Sequence, residues 1–170
     1  MEGCGNDYVY VDAITQPLPI DRAGELAKRW SDRHFGIGAD GLIVLARDDD
    51  ESLRMLMWNA DGSRGAMCGN GLRCLARFAE VQGHTSGTSL VIMTDSGPRE
   101  IELIGPGHGS GDVMTQMGNV TCSPSRKIEV AGGHYDFHCG DAGNPHAVTF
   151  VDDVETADVE GIGAAMQTLE

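Results

Sequence analysis

Long apolar runs are missing from this 170-residue chain: none approaches the roughly 18 residues that a membrane-spanning helix needs. The N-terminus, MEGCGNDYVYVD, has no basic segment followed by an apolar one, so no secretory signal is read there. A soluble, cytoplasmic protein is the expectation. Positive charge is scarce as well. Twelve Lys and Arg against 26 Asp and Glu give a formal charge of -14, which repels phosphate backbones and anionic lipid surfaces. Nucleic acid and membrane are therefore not expected as partners. Paired cysteines are missing too: Cys4, Cys68, Cys74, Cys122 and Cys139 are odd in number and contain no C-x-x-C, so they read as reduced thiols. Aromatics make up only 5% while glycines number 24. That balance points to tight turns and a sheet-rich protein whose core is filled by small and aliphatic side chains.

What is present begins with a β-type run, DYVYVD (7–12). A helix follows from Asp21, which can serve as its N-cap, with Ala23, Leu26, Ala27 and Trp30 at i, i+3, i+4 and i+7. It should end before DRHFGIGADG, a glycine-punctuated loop over 32–41. LIVLA (42–46) and LRMLMW (53–58) read as the two strands of a hairpin, the first of them buried. After NADGSRGAM, Cys68 opens a second helix with Leu72, Leu75, Ala76 and Ala79 on one face, and Gly83 supplies a stop. Strands are expected at 88–94, 99–104, 112–117, 127–131, 134–139 and 147–151, with GPGHGSG as a hairpin loop. A further helix begins near Val159 and is expected to run on to Glu170. Helices amid antiparallel strands, without regular βαβ alternation, predict an α+β protein in which a mixed, mostly antiparallel sheet wraps a central helix.

The chemistry concentrates at Cys68. A thiol at a helix start sits beside exposed backbone N–H groups, here those of Gly69 and Asn70, and glycines let a carboxylate approach them closely. The partial positive charge of a helix N-terminus favours thiolate over thiol. Three readings stay open on the residues alone: a buried small hydrophobe, a nucleophile towards a carbonyl, or a base that removes a proton beside a bound carboxylate. No local signature of a cysteine protease surrounds Cys68. Cys74, on the border of the apolar stripe, reads as a small hydrophobe. Asn6, Asn59 and Asn144 read equally as turn residues or as ligand contacts, while Asp61-Gly62 reads as a turn and Arg33 as a loop anchor.

Four separated segments together resemble the diaminopimelate epimerase family, cofactor-independent isomerases of bacterial and plant lysine biosynthesis. GCGNDYVYVD is similar to its G-x-G-N-D-F motif, with Tyr8 for Phe, and DRHFGIGADGL to its D-R-x-x-G-I-G-x-D-G-L loop. NADGSRGAMCGNGLRCLARF follows N-A-D-G-S…M-C-G-N-G-x-R-C almost letter for letter, and GNPHAVTFVDDVE is similar to the start of the family's second half. The resemblance implies two similar domains, a first at 1–118 carrying Cys68 and the beginning of a second at 119–170. It implies a reaction in which two thiols on opposite sides of the substrate's α-carbon remove and return a proton, interconverting L,L- and meso-diaminopimelate. No cofactor is implied. Cys68 matches one thiol; Asn6, Asn59 and Asn144 match substrate-binding asparagines; Gly69 and Asn70 match the amides that hold the carboxylate. The resemblance also implies a homodimer for a full-length member. No other cysteine here stands in the C-G-[TS]-G context of the second thiol. The expectation is a fragment, unable to epimerise by itself.

Other readings are a proline racemase or a phenazine-type isomerase of the same fold, or an inactive remnant. Proline racemases carry histidine where this chain has Asn70. His134, His138, Cys139 and His146 form an H-x-x-x-H-C cluster near zinc-ligand spacing. Strand alternation puts His134, Asp136 and His138 on one face, which reads as a polar surface stripe rather than a metal site.

Overall fold

A computed structural model describes residues 1–105, 107, 111–142 and 145–169. The chain divides into two compact units, Met1–Gln116 and Met117–Glu170.

The first unit opens with a small hairpin of β1 (Glu2–Gly3) and β2 (Asn6–Asp7). Its two-residue turn, Cys4-Gly5, has both residues left-handed, at φ 56° and 83°. Two such residues give a turn whose twist matches antiparallel strands. Tyr8 extends this pairing by exchanging hydrogen bonds with Met1 at 3.0 and 3.1 Å. β3 (Val9–Asp12) then pairs elsewhere. The strand expected over 7–12 is thus divided at Tyr8, because the chain changes partners there.

α1 (Ala23–Ser31) is entered through a 3-10 turn at Ile20–Arg22, in which the Arg22 N–H donates to the Pro19 carbonyl at 3.0 Å. Asp21 lies inside that turn and does not cap the helix. Pro19, with φ -69°, starts the tight turn ahead of it. Next come β4 (Gly41–Arg47) and β5 (Leu53–Asn59), the expected hairpin, with Gly41 opposite Asn59 and Arg47 opposite Leu53. After β6 (Arg64–Gly65), α2 (Gly69–Val81) leads to β7 (Ser89–Thr94), β8 (Gly97–Leu103) and β9 (Val113–Thr115).

The sheet order is β3-β4-β5-β7-β8-β9, with β6 also paired to β5. Two neighbouring pairs, β3–β4 and β5–β7, are parallel. Each is joined through a helix, α1 or α2, so two crossovers exist where no regular alternation was expected. Alternation along β4 explains the layers. Leu42 and Val44 pack with Ala23 and Ala27 of α1, whereas Ile43 and Leu45 pack with Leu72, Leu75, Ala76 and Ala79 of α2. A strand buried on both faces reads as an uninterrupted apolar run. α2 touches β1, β4, β8 and β9, so the sheet wraps it. The helix ends at the expected place: the N–H groups of Gly83 and His84 donate to Glu80 and Ala79 at 3.0 and 2.9 Å. Arg77, only 2% exposed, spans from α2 to the base of the β8–β9 hairpin, donating to the Ile104 and Asp112 carbonyls at 2.5 and 2.8 Å. The GPGHGSG loop joins these strands, and most of it lies outside the described residues.

The second unit is an antiparallel sheet of β10 (Thr121–Cys122), β11 (Arg126–Val130), β12 (Gly133–Asp141) and β13 (Pro145–Thr149), with α3 (Val159–Met166). Among the described residues its buried apolar core is Val130, Phe137 and Ile162. α3 is capped by Asp158, which accepts from Gly161 N–H at 2.9 Å. The helix stops at Met166 rather than running to Glu170. There the Thr168 hydroxyl and N–H both take the Ala165 carbonyl, at 2.8 and 3.2 Å, closing the last turn. Among the described residues no helix is long and apolar enough to cross a membrane.

Candidate active site

Residues 6, 8 and 10 recur at period two and turn towards the start of α2. Cys68 is the N-cap of that helix, and its backbone is extended there, at φ -132° and ψ 119°. Two donors converge on its sulfur: the Gly71 N–H at 3.4 Å and Asn6 Nδ2 at 3.3 Å. Tyr10 donates its hydroxyl to the Gly71 carbonyl at 3.2 Å. Tyr8 is buried in the same core cluster, with Cys68 packed against it. Burial pushes the Tyr8 phenol well above its ordinary range, the Cys68 sulfur adds to the push, and the Asn6 side chain opposes it. Burial raises the Tyr10 phenol too, with Cys74 as the next contributor.

The N–H groups of Gly69 and Asn70 fall in the first turn of α2, where geometry leaves amides without an acceptor inside the helix. Cys68, Gly69 and Asn70 are all only partly buried. An anion placed there would meet backbone donors next to a sulfur that is itself held by donors. The Asn70 side chain is turned aside: its Oδ1 accepts from Arg73, whose guanidinium also reaches Cys4 Sγ at 3.9 Å.

A charged clamp holds the Asn6 segment. Arg33 makes a two-pronged contact with Asp7, at 2.8 and 3.1 Å, and reaches Asp40 at 2.9 Å. The backbones of Asp7 and Asp40 are also tied, since Asp40 N–H donates to the Asp7 carbonyl at 2.7 Å. Hydrogen bonding to the Arg33 guanidinium holds the Asp7 carboxyl below the usual carboxylate range, against the opposing effect of desolvation. Arg33 is thus the loop anchor the sequence suggests, and it ties the 32–41 loop to the residue after Asn6.

A family model described as "Diaminopimelate epimerase" matches residues 1–123. The chain belongs to the diaminopimelate epimerase family. A diaminopimelate epimerase of Methanococcus maripaludis is 35% identical, over all of this chain and 65% of that protein. One of Moorella thermoacetica is 40% identical over 98% of this chain and 64% of that protein. The chain therefore spans about 65% of the length of the curated relatives it matches. Among solved structures, a phenazine biosynthesis protein of the PhzF family from Bacillus anthracis aligns with a TM-score of 0.65 at 15% identity, covering 85% of this chain and 50% of that one. A probable proline racemase from Agrobacterium radiobacter gives 0.59 at 19% identity, covering 88% and 42%. Such likeness shows the shared fold alone.

Within this diaminopimelate-epimerase fold, the structure brings Asn6 onto Cys68 and sets Gly69 and Asn70 directly behind it. Asn59 stands at the end of β5 opposite Gly41, where its Nδ2 donates to Ser63 Oγ at 2.9 Å. It closes the turn through Asp61-Gly62, in which Asp61 accepts from Ser63 N–H at 2.8 Å. Asn144 lies outside the described residues. Cys74 is buried on the apolar face of α2. Among the described residues no group of three or more His, Cys, Asp or Glu could hold a metal ion. His138 instead stacks edge-on against Phe150, at 5.7 Å between ring centres. Sequence reasoning missed Tyr8 and the Gly71 amide as neighbours of the sulfur. The period-two spacing of Asn6 and Tyr8 was the available signal for the first.

Proposed function

We propose that this chain carries one half of the active site of a cofactor-independent amino-acid epimerase that interconverts L,L- and meso-diaminopimelate. The observation that carries the reading is the Cys68 sulfur at the cap of α2, held by Asn6 Nδ2 and the Gly71 N–H beside the first-turn amides of Gly69 and Asn70. Membership of the diaminopimelate epimerase family supports the choice of substrate over the racemases that share only the fold.

In this reading the substrate's α-carboxylate accepts from the Gly69 and Asn70 amides. Cys68, as thiolate, takes the α-proton onto sulfur. The electron pair left on carbon spreads into the carboxylate, where helix amides stabilise it. A second thiol on the opposite face then gives its proton to that carbon, inverting it, because a single base tends to return the proton to the face it left. Asn59 and Asn144 are proposed to contact the substrate's other polar groups. No prosthetic group takes part in this route. The second thiol is proposed to come from a second domain, of which residues 119–170 are the beginning. The same reading extends to a cytoplasmic homodimer serving lysine biosynthesis.

Conversion of L,L-diaminopimelate to the meso form, followed by chiral chromatography, tests this. The 170 residues alone should give no turnover, and the chain continued through a second domain with a C-G-[TS]-G thiol should give it. Turnover by residues 1–170 that survives replacement of Cys4, Cys122 and Cys139 but is lost in Cys68→Ala would overturn the two-thiol requirement.

A further inference from the structure

The hairpin that carries Asn6 has only two residues in each strand, too few to hold its shape alone. Its position over Cys68 therefore depends on what grips it from outside. Arg33 grips one end through Asp7. At the other end β1 lies directly on the first turns of α2, since a Cβ on Gly3 would sit 3.2 Å from both the Asn70 carbonyl oxygen and Cys74 Sγ. Arg73, one turn along α2 from Asn70, reaches across that contact. A single nitrogen of its guanidinium, Nη2, donates to Asn70 Oδ1 and reaches Cys4 Sγ in the hairpin turn at 3.9 Å. Cys4 takes a left-handed backbone, φ 56°, that side chains rarely adopt, and in it meets the guanidinium with its sulfur. Arg73 belongs to the NGLRC stretch that follows the thiol, yet neither the carboxylate site nor the proton transfer proposed above uses it.

We propose that Arg73 is a positioning residue: it locks the Cys4-Gly5 turn onto the start of α2 and thereby keeps the Asn6 amide on the Cys68 sulfur. A guanidinium only donates, so the Asn70 atom that faces it is the amide oxygen, and the pairing has one sense. Fixed in this way, the Asn70 side chain gives Arg73 a footing on the helix from which its Nη2 meets Cys4. Asn6 follows Cys4 by two residues, so a turn held at Cys4 leaves the Asn6 amide little freedom to leave the sulfur 3.3 Å away. The hairpin is then tied at both ends to different elements, through Asp7 to the 32–41 loop and through Cys4 to α2, with Asn6 between the two ties. This inference rests on Cys68 being the reacting thiol, but it concerns how Asn6 is held and not the identity of the substrate.

The test is the rate of alkylation by iodoacetamide at one near-neutral pH in the 170-residue chain, with the Cys68 and Cys122 peptides quantified by mass spectrometry. It compares Asn6→Ala, Arg73→Met and the double variant. Methionine keeps the helix propensity of arginine and removes its contacts. Arg73→Met should slow Cys68 by about two- to threefold, the scale of one hydrogen bond lost from a reacting thiolate, and should slow it no further once Asn6 is alanine. Cys122, exposed in the second unit, should keep its rate. A guanidinium acting by charge at a distance, or only by supporting the fold, would add its effect to that of Asn6→Ala, and such additivity overturns the proposal. An unchanged Cys68 rate in Arg73→Met overturns it as well. Where Arg73→Met unfolds and exposes the buried Cys74 to the reagent, Cys4→Gly decides: glycine adopts the left-handed turn freely and removes only the sulfur that Arg73 reaches. Cys4→Gly should slow Cys68 in the same direction, and an unchanged rate there overturns the proposal. Since no diaminopimelate is used, failure here is distinct from failure of the epimerase reading, which turnover reports.

Discussion

At the scale of single residues, the central contact is an amide on a sulfur. Asn6 reads in sequence as a turn residue or a ligand contact, and the Cys4-Gly5 turn folds β2 back so that the Asn6 amide reaches the Cys68 sulfur at the start of α2. That turn is hard to read beforehand, because cysteine is not among the residues that usually accept a left-handed conformation. Cys68 itself is legible: a thiol followed by Gly-Asn-Gly and an apolar helical stripe places it at the cap. What stays hidden is the side chain that reaches the sulfur, since Asn6 lies 62 positions earlier in the chain. Asn6→Ala removes one of the two donors on the sulfur. It should slow alkylation of Cys68 in the absence of substrate by about threefold. An unchanged rate in that experiment would mean that Asn6 serves substrate alone.

At the scale of elements, both first-unit helices and the β4–β5 hairpin are visible in local patterns, because apolar periodicity and a short turn determine them. The parallel pairings β3–β4 and β5–β7 are not, since the neighbour of each strand lies beyond an intervening helix. Gly41 sits where these levels meet, opposite Asn59 in the hairpin and beneath Tyr8. Gly41→Ala places a methyl group against the Trp58 carbonyl in a buried strand. The expected cost is roughly 2–3 kcal/mol, the scale of overpacking in a close-packed core, read as a lower urea midpoint. A second tie joins β3 to the turn after α2: His84 Nε2 lies 2.9 Å from Asp12 Oδ2 with both side chains buried. Burial alone would raise the Asp12 carboxyl, but hydrogen bonds from the Thr15 hydroxyl, His84 and the N–H groups of Ile14 and Thr15 bring it below its ordinary value of 3.8. A carboxyl lowered by folding stabilises the native state above its unfolded value, about 3.9, and that contribution disappears as pH falls through the lower folded value. Stability against urea should therefore drop below about pH 4, and Asp12→Asn should lower stability near neutrality while flattening that acid limb. An equally steep limb in the variant would assign the loss to other carboxylates.

At the scale of the whole molecule, composition narrows the partners better than it indicates a fold. The charge of -14 argues against polyanionic partners but says nothing of topology. The first unit has a double-faced core, whereas the second buries three apolar residues among those described, and Asn6, Cys68, Gly69 and Asn70 all lie within Met1–Gln116. The proposed reaction nevertheless calls for a second thiol. The measurement that bears most directly on this is solvent deuterium entering the α-carbon of L,L-diaminopimelate, followed by proton NMR. It is made with the chain continued through its second domain and with Cys68→Ala, Cys4→Ala and Cys74→Ala variants of it. The expected result is loss of at least about 10³-fold, the scale of a removed acid/base group, in Cys68→Ala and little change in Cys4→Ala. Cys74→Ala, a buried packing change, should alter stability more than rate. Deuterium entry that persists in Cys68→Ala would contradict the assignment of Cys68 as the proton-transferring thiol.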